Sequence, residues 1–80
     1  MNKKEITAKV RSIICDQMVF TNEEFDNSAN LRDDLGSDSL DEIELIMEVE
    51  KEFDVPIPDR DAEGVKTVQD IINLVEKKIA

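Results

Sequence analysis

Apolar residues recur along this chain at the spacing of helix faces. Over residues 3–18, Ile6, Val10, Ile13, Ile14 and Met18 fall at i, i+4, i+7 and i+8 intervals with Ala8 beside them, which predicts an amphipathic helix. A second periodic stretch covers residues 39–53. Asp38 and Ser39 are both candidates to cap it, and Asp41 and Glu42 stand in its first turn, where the helix dipole favours anions. The segment DVPIP stops it, because Pro56 and Pro58 each push the preceding residue out of helical dihedrals. After a short turn through residues 59–64, Thr67 with Asp70 three residues on predicts the start of a last helix. That helix buries Val68, Ile71, Ile72, Val75 and Ile79 and ends in Lys77 and Lys78. Residues 19–37 (VFTNEEFDNSANLRDDLGS) carry no period and read as a loop. A loop of that length must be pinned. Val19, Phe20, Phe25, Leu31 and Leu35 are the candidate pins, and Thr21 with Glu24 has the spacing of a capping-box turn. The pattern predicts an all-α fold of three main helices plus a short additional element.

On a helical wheel the second helix is divided. Asp41, Glu44, Glu48 and Glu52 share one stripe; Leu45, Ile46, Val49 and Phe53 lie opposite; Leu40, Ile43 and Met47 form a second apolar strip beside the acids. The combined apolar arc is wider than the stripe a surface helix buries. Either the helix is central and contacts neighbours on two sides, or Leu40 and Met47 remain exposed as a docking strip rimmed by acids.

Charge sharpens the second possibility. Residues 38–54 hold eight acids and one base, a net of −7 within a total of −10. Like charges at i, i+3 and i+4 destabilise a free helix, and a chain that tolerates them can use them to steer a basic partner. The same surface repels phosphate backbones, so nucleic acid is not expected as a partner. No apolar run is long enough to insert in a membrane. The chain has no His, which removes His-based triads and His metal sites. A single Cys, Cys15, allows no internal disulfide and fits a reducing compartment. On the wheel it reads as a partly exposed spacer. With 80 residues the chain is expected to be one domain, 1–80, with a small core and a thin stability margin.

At the head of the second helix stands LGSDSLDEIEL, residues 35–45. Ser39 follows a Gly turn. Taken alone it reads as a helix cap, yet a phosphate ester there would be favoured by the helix N-terminus. No neighbouring residue in the segment is a base able to activate its hydroxyl, so another enzyme would have to modify it.

The triplet Asp38-Ser39-Leu40, preceded by DDLGS and followed by DEIELIMEVEKEFDVPIPD, resembles the phosphopantetheine-attachment segment of acyl carrier proteins, most closely the discrete carriers of fatty-acid synthesis. The likeness runs over nearly the whole chain. It implies a four-helix bundle with a short third helix, no catalytic residues, and 4′-phosphopantetheine carried on Ser39 after transfer from coenzyme A by a phosphopantetheinyl transferase. It implies basic-surfaced acyl-chain synthesis and transfer enzymes as partners of a cytoplasmic monomer. Asp38, Asp41, Glu44 and Glu48 match its charged contacts, and Leu40 and Met47 its apolar ones. Val49, Phe53, Ile57, Ala62 and Val65 match residues lining an acyl pocket, and Ile72 of the last helix is expected to converge on them. Carriers of polyketide or specialised-lipid pathways are the alternative within this class.

A reading from another class comes from DRDAEGVKTVQD, residues 59–70. It approximates an EF-hand loop, with Asp59, Asp61 and Glu63 at positions 1, 3 and 5, Gly64 at 6 and Asp70 at 12. Against it stand the prolines before the loop, Asp in place of the bidentate Glu, and Lys66 where an apolar residue belongs. No specific metal site is expected.

Overall fold

The computed structural model describes residues 2–18 and 24–79. Among them the chain is all-α, with α1 (Lys3–Met18), α2 (Ser39–Phe53), α3 (Asp59–Ala62) and α4 (Val68–Ile79). The only pairing of strand type among these residues is an isolated antiparallel bridge between Asn30 and Thr67. No helix is long and apolar enough to cross a membrane among the described residues.

The helix limits follow from their caps. Asn2 starts α1, its Oδ1 accepting from the Glu5 backbone N–H at 2.8 Å. Of the two candidate caps of α2, Asp38 takes the position: its Oδ1 accepts from the Asp41 N–H at 2.8 Å, and Asp41 Oδ2 accepts from the Asp38 N–H at 3.1 Å. The helix ends at Asp54, which sits in the left-handed region (φ 53°) and donates its N–H to the Glu50 carbonyl. At α4 the expected reciprocal cap forms. Thr67 Oγ1 accepts from the Asp70 N–H at 3.1 Å, and Asp70 Oδ2 accepts from the N–H groups of Thr67 and Lys66, both at 3.0 Å. Burial pushes the Asp70 carboxyl up, but these backbone donors and the Thr67 side chain together hold it below the ordinary carboxylate value.

α1 packs against both α2 and α4. Ile6, Val10 and Ile14 join Leu45, Val49 and Phe53 of α2 and Val68, Ile71, Ile72 and Val75 of α4 in one buried cluster. Ile13, Cys15, Met18 and Ile79 border it, partly buried.

The loop before α2 is pinned, as its length demands. Phe25, Leu31 and Leu35 are buried as expected, with Ala29 in addition. Val19, Phe20 and Thr21 lie outside the described residues. Backbone bonds stitch the loop to the head of α4: Leu31 N–H to the Lys66 carbonyl at 2.8 Å, Val68 N–H to Ala29 at 3.2 Å and Gln69 N–H to Asn27 at 2.7 Å. From α1, the Arg11 guanidinium covers the Phe25 ring 4.3 Å from its centroid and donates to Asn27 Oδ1 at 2.7 Å.

Candidate functional site

The loop just upstream of α2 is folded on itself, and this positions Ser39. Asn30 Oδ1 accepts from the backbone N–H groups of Arg32 and Asp33, both at 2.9 Å, and Asp34 Oδ2 accepts from the Asn30 N–H at 2.7 Å. Gly36 adopts φ +72°, a left-handed conformation that turns the chain towards α2. Ser37 is buried, and its hydroxyl donates to the Leu31 carbonyl at 2.8 Å. Next come the cap Asp38 and then Ser39 as the first residue of α2, exposed to solvent.

The reading of Ser39 as a helix cap is therefore corrected. Asp38 does that work: its carboxylate accepts from the Asp41 N–H and closes a reciprocal pair with the Asp41 carboxylate, while Ser39 is already inside the helix. Ser39 is left with its hydroxyl outward. Asp38→Ala is expected to destabilise the fold by about 1 kcal/mol, seen as a melting temperature lower by about 4–8 °C.

One cation stands beside that hydroxyl. Arg32 Nη2 lies 3.4 Å from Ser39 Oγ, while Nε and Nη2 hold the two Glu42 carboxylate oxygens at 2.7 and 3.1 Å. The hydrogen bonds from Arg32 hold Glu42 below the ordinary carboxylate value despite some burial, with help from Ser37. Arg32 stays protonated, and a carboxylate so held is a weak base. The expectation that Ser39 has no local activator is consistent with this arrangement. The contact between Arg32 and Ser39 was not legible in the sequence, since the two stand seven positions apart across an aperiodic loop.

A cleft of about 800 Å³ opens beside Ser39, between α2, the loop and α3. Of the expected pocket residues, Ile57, Ala62 and Val65 line it. Val49, Phe53 and Ile72 do not; they sit behind it in the packed core. Leu31, Ile43, Leu45, Ile46 and Met47 supply the rest of its apolar lining. The wall is braced at two points: Glu50 Oε2 accepts from the Ile57 N–H at 2.9 Å, and Lys78 Nζ of α4 grips Asp61 of α3 at 2.7 Å. The Lys78 hydrogen bond lowers the Asp61 carboxyl below its ordinary value. α3 itself contributes no buried residue.

On the outer face of α2, Leu40 and Met47 are 62% and 60% exposed, and Ile43 between them is 57% exposed. The helix is thus not covered on both sides by this chain. The apolar strip is open, and it includes Ile43, which was not among the expected contact residues. Glu44 and Glu48 are exposed beside it. Glu44 also accepts from Gln17 of α1 at 2.8 Å, and Asp41 is tied into the cap.

The EF-hand alternative finds no support. Residues 59–62 are helical rather than a ligand loop, Asp61 is paired with Lys78, and Asp70 is spent on the cap of α4. Among the described residues no group of three or more acids or cysteines is arranged to hold a metal ion.

Ser39 offers an accessible hydroxyl, an adjacent guanidinium suited to a phosphate and an apolar cleft alongside, a donor set that fits a phosphate-linked arm. Comparison with known proteins agrees. A family model described as the phosphopantetheine attachment site matches residues 8–75. The chain is similar to the acyl carrier protein of Thermosynechococcus vestitus, 46% identical over 80 residues, which is all of this chain and 99% of that protein. It is 49% identical to the acyl carrier protein of Chlorobium luteolum over 98% of this chain and 100% of that one. It is 44% identical to that of Prochlorococcus marinus, over 98% of each. The chain belongs to the acyl carrier protein family and carries acyl groups on phosphopantetheine.

Proposed function

We propose that Ser39 is the residue that takes 4′-phosphopantetheine from coenzyme A and that the loaded chain serves fatty-acid synthesis. The observation that carries this is the division of labour at the head of α2: Asp38 holds the helix, and the Ser39 hydroxyl is exposed on the rim of the cleft. When bound, the arm supplies a terminal thiol that holds acyl groups as thioesters. Transfer forms a bond from Ser39 Oγ to phosphorus and breaks the phosphoanhydride of coenzyme A, releasing the nucleotide part. The Ser39 proton goes to a base on the transferase, since Arg32 is a cation and Glu42 a weakened base. In this reading the chain catalyses nothing itself. Intact mass after incubation with coenzyme A and a transferase, followed by peptide mapping, tests the assignment. An arm on Ser28 or Ser37, or none, refutes it.

The outer face of α2 is the surface that meets partners in this reading. Leu40, Ile43 and Met47 supply an open apolar strip, and Asp38, Asp41, Glu44 and Glu48 surround it with negative charge. Such a surface steers basic partners and loses its pull as salt rises. The double substitution Glu44→Lys, Glu48→Lys is expected to slow association with the transferase about tenfold at low salt. Stopped-flow binding over a salt series measures this, and rates insensitive to both changes would remove the surface from the proposal. A net charge of −10 keeps copies of the chain apart and supports a monomer, and the lone Cys15 suits a cytoplasmic setting. A single core cluster shared by α1, α2 and α4 supports one carrier unit over the chain.

A further inference from the structure

Arg32 has an anchored base and an open head. Its own N–H is held by Asn30 Oδ1, and Leu31 before it is buried, so the backbone cannot drift. Its side chain is 61% exposed. Nε–H and one N–H of Nη2 hold Glu42, the other N–H of Nη2 reaches Ser39 Oγ, and Nη1 makes no hydrogen bond to the described residues. Across residues 30–44, Arg32 is the one basic residue among six acids: Asp33, Asp34, Asp38, Asp41, Glu42 and Glu44. A phosphodiester on Ser39 brings a further negative charge into that segment. Its unesterified oxygens would lie two bonds beyond Oγ, and the guanidinium already stands 3.4 Å from that Oγ.

We propose that Arg32 is the positioning residue for the arm, its guanidinium held on one edge by Glu42 and presenting its remaining N–H groups to the phosphodiester on Ser39. Glu42 then has two effects. It orients the guanidinium, and it competes with the phosphate for the same cation. Planar, bidentate geometry makes arginine suited to share itself in this way, whereas lysine in its place would offer only a point charge. The arm is thereby tethered at its root over the mouth of the cleft, with the rest of its length free. The inference rests on Ser39 as the attachment residue.

The test uses the holo chain, loaded from coenzyme A, and reads the single phosphodiester by ³¹P NMR and the arginine side chains by ¹⁵N NMR. Loading is expected to shift the Arg32 Nε signal. Arg32→Ala is expected to shift the phosphorus resonance by more than its linewidth, and Arg32→Lys is expected to restore only part of that shift. Glu42→Gln breaks the ion pair as fully as Arg32→Ala does, but it frees the guanidinium for the phosphate, so the resonance should move in the opposite direction. If Arg32 is merely structural, the two substitutions act alike and leave the phosphorus signal where it was; that result overturns the proposal. Peptide mapping of the same samples separates the two ways of failing. An arm found on another serine refutes the Ser39 assignment and this inference with it, while an arm on Ser39 with an insensitive phosphorus signal refutes Arg32 alone.

Discussion

Ser39→Ala is expected to fold as the wild type does and to remain wholly without the arm. Before the fold is known, a serine at a helix start carries an expected penalty of about 1 kcal/mol for its loss. Here Asp38 carries the cap, so that penalty does not apply to Ser39. What the substitution removes is one 3.4 Å hydrogen bond from Arg32, exposed on both sides. Such a contact contributes at most a few tenths of a kcal/mol at the surface, within the usual spread of about 0.5 kcal/mol for exposed changes. The chemical effect is total by comparison, because among the described residues no other hydroxyl occupies that position. Ser37 is buried with its hydroxyl given to the Leu31 carbonyl, and Ser28 lies in the loop. Thermal melts of Ser39→Ala and Asp38→Ala side by side, with intact mass after the transferase reaction, make the check. Ser39→Ala should melt with the wild type and gain no mass. Asp38→Ala should melt lower. A Ser39→Ala chain that still gained the arm would refute the attachment site.

The second large effect concerns the cargo. The melting temperature is expected to climb from the holo form through short to medium acyl chains and then level off. The cleft beside Ser39 has an apolar wall from Leu45, Ile46, Ile57 and Val65, and α3, which closes it, has no buried residue of its own. Moving α3 aside breaks the half-buried Lys78–Asp61 pair and lifts Ala62 off the core, but it uncovers no fully buried side chain of α3. Burying about six methylenes gains at most about 5 kcal/mol. Reshaping the packed residues behind the cleft, Val49, Phe53 and Ile72, costs about 1–3 kcal/mol. The surplus corresponds to a rise on the order of 10 °C for a domain of this size. Ala62→Phe should fill the cleft and flatten the series, while leaving the holo form folded. Ile57→Ala should lower the holo form, because Ile57 is 5% exposed and its loss leaves a void. Calorimetry of holo, short-chain and medium-chain forms decides. Equal melting temperatures across the three would place the acyl chain in solvent.

Between the six expected pocket residues the structure draws a line that the sequence does not. All six are apolar: five are grouped by the resemblance to acyl carrier proteins and Ile72 is expected to converge on them, so nothing along the chain separates them. Ile57, Ala62 and Val65 belong to the connecting segment and line the cleft; Val49, Phe53 and Ile72 belong to long helices and fill the core. The docking face shows a similar split. The wheel found Leu40, Ile43 and Met47 on one strip, but a wheel cannot say whether a neighbour covers it. α1 and α4 pack together, and α1 reaches α2 on the side of Leu45, Val49 and Phe53, which leaves the strip open.

The three long helices, their limits, the capping pair Thr67 and Asp70 and the acidity of residues 38–54 were all legible along the chain. Each of these rests on interactions between residues three or four apart, or on composition, and such terms are legible along one dimension. The tertiary structure alone decided which residues wall the cleft, which apolar strip stays uncovered, and that Arg32 stands against Ser39 with Glu42 behind it. Those depend on the path of an aperiodic loop. That path is set by hydrogen bonds from Leu31, Ala29 and Asn27 to the head of α4, between residues some forty positions apart, and no local pattern encodes them.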